Sequence, residues 1–168
     1  PVPWEVTTSY GSGTAQGPDT VLHASPHLEF YLRGVANHFE KGFHLLPTMA
    51  DIASLNSEFK PIAKAIQEQL ETAGNLAARP DLVEAQQQVN TASAKVNQRV
   101  YQQAKEMDAL GKRVALIGGD HSSPLGLIQY LCEKYHGDLG VLHIDAHHDL
   151  RDAYQGFQFS HASIMKNV

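Results

Sequence analysis

Two apolar runs, "RVALIGG" from Arg113 and "LGVLHIDA" from Leu139, stand on either side of the stretch "SPLGLIQYLCEKY". No other feature restricts the fold as much. The first run is short, β-branched and closed by glycines. The middle has Pro124 near its start and reads as a helix. Strand, helix and strand within about 35 residues make a βαβ unit, whose two strands are expected to be parallel neighbours. Both runs are apolar on both faces, as strands covered by helices on each side are. The expected class is therefore α/β with a mostly parallel sheet.

Upstream, the grammar is different. "TTSYGSGTAQGP" reads as a loop, with Gly11, Gly13 and Gly17 supplying turns. It is either a surface connector or a loop held over a site. Pro18 suits the start of a short helix, "PDTVLHAS", limited by Pro26. Leu28, Phe30 and Leu32 alternate, which predicts a strand. Pro47 breaks any continuous helix through "FHLLPTMADIASLN". From Glu58 the pattern turns helical, with Ile62, Ile66 and Leu70 four apart, Pro61 near the start and Gly74 near the end. A second helix is expected from about Pro80 to Gly111, with Leu82, Val89, Val96, Val100, Ala104, Met107 and Leu110 on one core-facing stripe.

Composition removes several classes of function. The 168 residues suffice for a real core, and 42% of them are apolar. The formal charge is -5 with no basic cluster, which argues against nucleic acid or an anionic membrane as a partner. No membrane-length apolar run and no signal segment are present. The single cysteine, Cys132, excludes an internal disulfide and fits a reducing, cytoplasmic compartment. The chain opens "PVPWEV" without methionine and stops at "SIMKNV", so the expectation is the N-terminal portion of a longer polypeptide.

Ten histidines are present, and six of them fall between His121 and His161. In an open parallel sheet, ligands bind beyond the carboxyl ends of the strands. Gly118-Gly119-Asp120-His121 follows the first apolar run, and "DAHHDLR" (Asp145–Arg151) begins as the second closes. Asp145, His147 and Asp149 are spaced by two, so an extended chain projects them from one face. Extended, Asp145 and Asp149 would stand about 13 Å apart, too far to share one ion. The chain must therefore curl after Asp145, and small Ala146 permits it. Curled, Asp145, His147 and Asp149 converge with His121. Two carboxylates and two imidazoles without Lys or Arg between them call for a divalent cation. The donor set suits manganese, iron, nickel or zinc better than calcium or magnesium. A metal pair about 3.5–4 Å apart is a recurrent hydrolytic design. Four ligands do not complete such a pair, so further carboxylates are expected from elsewhere.

"GGDHS", "DAHHDLR" and "SHAS" (Ser160–Ser163) resemble the motifs of the ureohydrolases, the family of arginase and agmatinase, and are closest to agmatinase-like members. The early glycine-rich loop resembles that family's too. Residues 118–163 match in order. The resemblance implies a three-layer α/β/α sandwich, with residues 1–168 as the N-terminal part of a single ureohydrolase domain. Within it, 34–108 is a family-atypical helical stretch and 113–168 carries the metal-site motifs. It also implies two Mn(2+) ions, with Ni, Fe or Zn possible, that hydrolyse a guanidinium group to an amine and urea. By the same resemblance, His121, Asp145 and Asp149 hold one metal. Asp145 bridges to the second, which His147 also holds. Asp149 and His161 are the catalytic candidates, His161 for proton transfer. The family's later "DxDxxDP"-like motif is absent from this stretch.

The implied reaction is agmatine plus water giving putrescine plus urea. The same machinery on formiminoglutamate, guanidinobutyrate, guanidine or arginine is an alternative, as is a non-catalytic metal-binding subunit. The implied partners are a small cationic guanidino substrate and further copies of the chain, as trimer or hexamer. Of the neighbouring residues, Asp120 reads as an outer hydrogen-bond partner, His148 is out of phase, and His143 reads as a satisfied core histidine. Arg151 is a substrate-binding candidate that can equally pair with Asp149 or Asp152, or serve a subunit interface.

Overall fold

A computed structural model describes residues 1–29, 33–35 and 38–168. Its helices are α1 (Gly17–Ala24), α2 (Ala50–Ala73), α3 (Pro80–Ala109), α4 (Leu125–Lys134) and α5 (Ile164–Asn167), with short 3-10 turns between some of them. Pro18 lies in the first turn of α1 and Pro80 opens α3, each where a missing N–H costs nothing.

The apolar stripe of α3 is buried as its period predicts. Leu82, Val89, Val96, Val100 and Ala104 face inward, whereas Leu110 is exposed. α2 begins at Ala50, earlier than the expected Glu58, and Pro61 lies inside it rather than at its start. Ile52 extends the buried face over that added turn. Gly74 ends the helix in a left-handed conformation (φ 71°), its N–H on the Leu70 carbonyl at 2.9 Å. Residues 74–79 then return the chain, and α3 packs along α2. Arg99 on α3 reaches Asp51 in the first turn of α2 (3.1 Å). α4 lies on α3, where Tyr130 meets Tyr101 edge-on with ring centres 5.7 Å apart.

The expected α/β class is overturned. Among the described residues no strand forms. Among the described residues the pairing is limited to two isolated bridges, Val2 with Gly118 (parallel) and Tyr154 with Phe157 (antiparallel). The three-layer sandwich with a mostly parallel sheet is therefore not what this chain builds. The physical reason lies in the partners. A ladder needs a neighbour's N–H and C=O groups, and an apolar run specifies burial, not which neighbour. "RVALIGG" takes the N-terminal segment as its neighbour. The Val2 N–H donates to Ile117 O (2.9 Å), Gly119 N–H to Val2 O (2.9 Å) and Asp120 N–H to Trp4 O (2.8 Å). "LGVLHIDA" stays unpaired, with Leu142 86% and Ile144 88% exposed. In the expected strand over Leu28, Phe30 and Leu32, the last two residues lie outside the described residues, and Leu28 is exposed.

Trp4 is the largest fully buried side chain. Val2, Trp4 and Val6 are buried together with Ile52 and Ile66 of α2, Val89, Val96 and Val100 of α3, and Phe157. Gly119 must be glycine here, since a Cβ would stand 2.0 Å from the Trp4 carbonyl oxygen. The glycine pair before His121 thus lets the His121 turn lie directly on the buried N-terminal segment.

Candidate metal centre

Asp120 and His121 are adjacent but serve different surroundings. Asp120 Oδ1 accepts from the Ser122 N–H (2.9 Å) and hydroxyl (2.5 Å), and its Oδ2 accepts from the Thr7 hydroxyl (3.3 Å). Burial pushes its carboxyl up, against those hydrogen bonds. Asp120 is thus committed to its own loop and to the N-terminal segment. His121 faces the other way, its Nδ1 2.7 Å from Asp149 Oδ2 and 3.3 Å from Asp145 Oδ2.

The curl required after Asp145 is present. Asp145 Oδ1 accepts the His147 N–H at 2.9 Å, closing an Asx turn, and Asp149 sits in the left-handed region (φ 49°). Asp tolerates that conformation better than most residues do. The turn brings Asp149 back beside Asp145. The His147 N–H, with His121 and His143 nearby, holds Asp145 below the ordinary carboxylate range.

His143 belongs to the same cluster, contrary to its expected role as a satisfied core histidine. Its ring lies 5.0 Å from that of His121. Its Nε2 is 3.8 Å from both Asp145 Oδ2 and Asp149 Oδ2. That nitrogen is buried and has no hydrogen-bond partner. His121, His143, Asp145 and Asp149 each offer a donor atom, all within 4.8 Å of one another. His147 stays at the rim, 81% exposed, with Nδ1 3.3 Å from the other Asp145 oxygen, Oδ1. Of the four expected ligands, His121, Asp145 and Asp149 therefore gather, His147 does not join them, and His143 does. The signal was in the period: His143, Asp145, His147 and Asp149 occupy alternate positions.

The donor set fits a transition-metal cation. Imidazole nitrogen and carboxylate oxygen bind such ions at about 2.0–2.2 Å, which places ligand atoms around one ion roughly 3–4 Å apart. The cluster's spacings of 2.7, 3.3 and 3.8 Å fall in or near that range. The orphaned His143 Nε2 points the same way, since an unsatisfied buried nitrogen is costly unless something binds it.

His161 opens a 3-10 turn (His161–Ser163) and is held by the N-terminal segment. Its Nδ1 lies 3.1 Å from Thr7 O and its Nε2 3.3 Å from Ser9 Oγ. The Tyr154 ring meets it edge-on at 5.6 Å. Arg151 stacks its guanidinium over Tyr154 at 5.0 Å and donates its backbone N–H to Ala162 O. Asp152 pairs instead with Lys166 (3.1 Å). His148 is exposed. Among the described residues, no helix is long and apolar enough to cross a membrane.

The sequence model of the Arginase family matches residues 1–168. The N(1)-aminopropylagmatine ureohydrolase of Synechocystis sp. is 28% identical over 170 aligned positions, covering 100% of this chain and 45% of the relative. That of a strain of Thermus thermophilus is 29% identical over 164 positions, or 97% of this chain and 43% of the relative. Arginase 1, mitochondrial, of Arabidopsis thaliana is 41% identical over 56 positions, or 33% of this chain and 16% of the relative. The chain thus spans less than half the length of these relatives. No solved structure matches.

Proposed function

From the premise that this chain belongs to the arginase family, we propose that the whole protein hydrolyses a guanidino compound to an amine and urea. The observation that carries the reading is the cluster of His121, His143, Asp145 and Asp149, four donor atoms within 4.8 Å that include a buried, unpaired imidazole nitrogen. These residues would hold manganese or a similar divalent cation, with His147 on the outer oxygen of Asp145. When bound, such an ion supplies Lewis acidity and makes water nucleophilic near neutral pH.

The chain's own residues do the rest. The guanidinium carbon is a poor electrophile because its charge is delocalised, so the substrate must be held in place. The reaction is R–NH–C(NH2)2⁺ plus H2O giving R–NH3⁺ plus urea. The C–N bond to the substrate chain breaks, and the departing nitrogen gains a proton. His161 moves that proton, since imidazole is the side chain best matched to neutral pH. Asp149 fixes the His121 ring through its 2.7 Å contact and would add negative charge beside a bound cation. Arg151 and Tyr154 form the wall beside His161.

The substrate we assign is agmatine or its N-aminopropyl derivative, which the names of the two bacterial relatives support. A second reading rests on Arg151, exposed and stacked on Tyr154, which would favour a substrate carrying a carboxylate, such as guanidinobutyrate. The test is urea release by the purified whole protein, loaded with manganese, from a panel of guanidino amines and guanidino acids. Urea from the amines supports the first reading, and urea from the acids alone supports the second. No urea from any of them would overturn both.

A further inference from the structure

The glycine-rich loop at residues 9–17 has no part in the cation cluster, yet its hydrogen bonds run from a buried carboxylate to His161. Glu5 is 7% exposed. Its Oε2 accepts three hydrogen bonds, from Gly13 N–H (2.7 Å), Thr14 Oγ1 (2.9 Å) and Ala15 N–H (3.1 Å). The backbone of Glu5 is tied to α2, its N–H donating to Asn56 Oδ1 (2.8 Å) and its carbonyl accepting from Lys60 Nζ (2.8 Å). Lys60 also reaches the Thr8 hydroxyl, which donates back to Glu5 O. The loop is therefore folded around one oxygen and anchored to one helix.

Its start, Ser9, and Thr7 just before it meet His161. A carbonyl oxygen only accepts, so the contact with Thr7 O requires the hydrogen to be on His161 Nδ1. In the neutral ring Nε2 then carries the lone pair, facing the Ser9 hydroxyl. This tautomer leaves Nε2 as the atom that exchanges a proton. Thr7 is joined to the floor of the site as well, through its hydroxyl on Asp120.

We propose that Glu5 is a positioning residue that acts on His161 through this loop. By gathering Gly13, Thr14 and Ala15, its carboxylate sets the Thr7 carbonyl and Ser9 hydroxyl that hold the imidazole with Nδ1 protonated and Nε2 open. The charge state of Glu5 agrees with that task. Burial opposes ionisation, but the hydrogen bonds from Ala15, Thr14 and Gly13 and the Lys60 ammonium outweigh it, leaving the carboxyl below its ordinary range. Surrounded by donors, Glu5 needs no cation.

The inference rests on His161 as the proton-transfer residue, but its test reads the ring and not turnover. Long-range nitrogen–proton NMR of the whole protein, well above the ordinary imidazole pH range, distinguishes protonated from unprotonated ring nitrogens. The His161 signals are identified by their loss in His161→Gln. Wild type is expected to show Nδ1 protonated and Nε2 unprotonated. Glu5→Ala is expected to lose that signature, its two nitrogens moving toward averaged positions. Glu5→Gln is expected to restore most of it, because an amide oxygen accepts the same donors. Ser12→Ala, exposed in the same loop, should change nothing. If Glu5→Ala does not fold, Gly13→Ala disturbs the loop from outside. Gly13 has φ 111° with nothing near its Cβ position, so the added methyl strains only the backbone, and the same loss is expected. A wild-type ring protonated on Nε2, or a folded Glu5→Ala or Gly13→Ala with an unchanged signature, overturns the proposal. A protein that releases no urea yet shows these signals sinks the functional reading alone.

Discussion

Glu5 and Asp120 on one side, and Asp145 and Asp149 on the other, differ in what completes them. Glu5 and Asp120 receive N–H and O–H donors, Glu5 from residues 13–15 and Asp120 from Ser122 and Thr7, and both are buried. Asp145 Oδ1 accepts one N–H of its own turn, but Asp145 Oδ2 and Asp149 Oδ2 face two imidazoles, one of which ends in a nitrogen with no hydrogen bond. The surroundings follow the same division. The N-terminal segment is packed around Trp4, whereas 139–146 runs unpaired with its apolar side chains in solvent. A carboxylate supplied with donors is complete within the protein. A carboxylate pair facing imidazoles, one unsatisfied at a cost of about 1–3 kcal/mol, would be completed by a cation.

The contrast can be broken or sharpened. The largest expected effect lies on the finished side. Trp4→Ala should cost about 3–5 kcal/mol in denaturant unfolding, since it removes the largest fully buried side chain. A loss below about 1 kcal/mol would mean that this segment is not the core element described here. Next comes the unfinished side. His143→Ala should weaken manganese binding by about 10–100-fold in titration calorimetry, while the exposed His148→Ala should not. Equal affinities for the two variants would return His143 to a packing role.

Smaller is the acid response of the clamp. The folded value of Glu5 lies below its unfolded one, so its stabilisation is complete above the ordinary carboxylate range. It is lost as pH falls through the folded value. Glu5→Gln should therefore flatten the acid limb of a plot of urea midpoint against pH. An unchanged limb would show that the carboxylate is not held as described. Smallest of all, Leu142→Ser in the 168-residue chain should change stability by about 0.5 kcal/mol or less, because the side chain is 86% exposed. A larger loss would place 139–146 in a packed layer.

What was legible in the sequence follows from what periodicity encodes. The 3.6-residue stripe of α3 predicted its buried face from Leu82 to Ala104, because a helix satisfies its own backbone and needs only one apolar side. The sheet was misread because strand pairing depends on a partner elsewhere in the chain. The apolar runs at 113–119 and 139–146 carry no record of which segment each would meet, and Val2 took the first. The early start of α2 was hidden by Pro47 and Pro61, which suggested a boundary where the chain tolerates an interior proline. The two-residue period and the needed curl account for how Asp145 and Asp149 come together. The same period also contained His143, whose place in an apolar run concealed it. The exposure of His147 and the donors around Glu5 depend on how loops fold back, which no local pattern records.

The most direct measurement of the central claim is anomalous X-ray diffraction from crystals of the whole protein grown with manganese. The expected result is a peak between His121, Asp145 and Asp149, with His143 Nε2 turned toward it. Crystals soaked in the ion that show no peak there, with these side chains still gathered and His143 Nε2 bonded to some protein group, would contradict it.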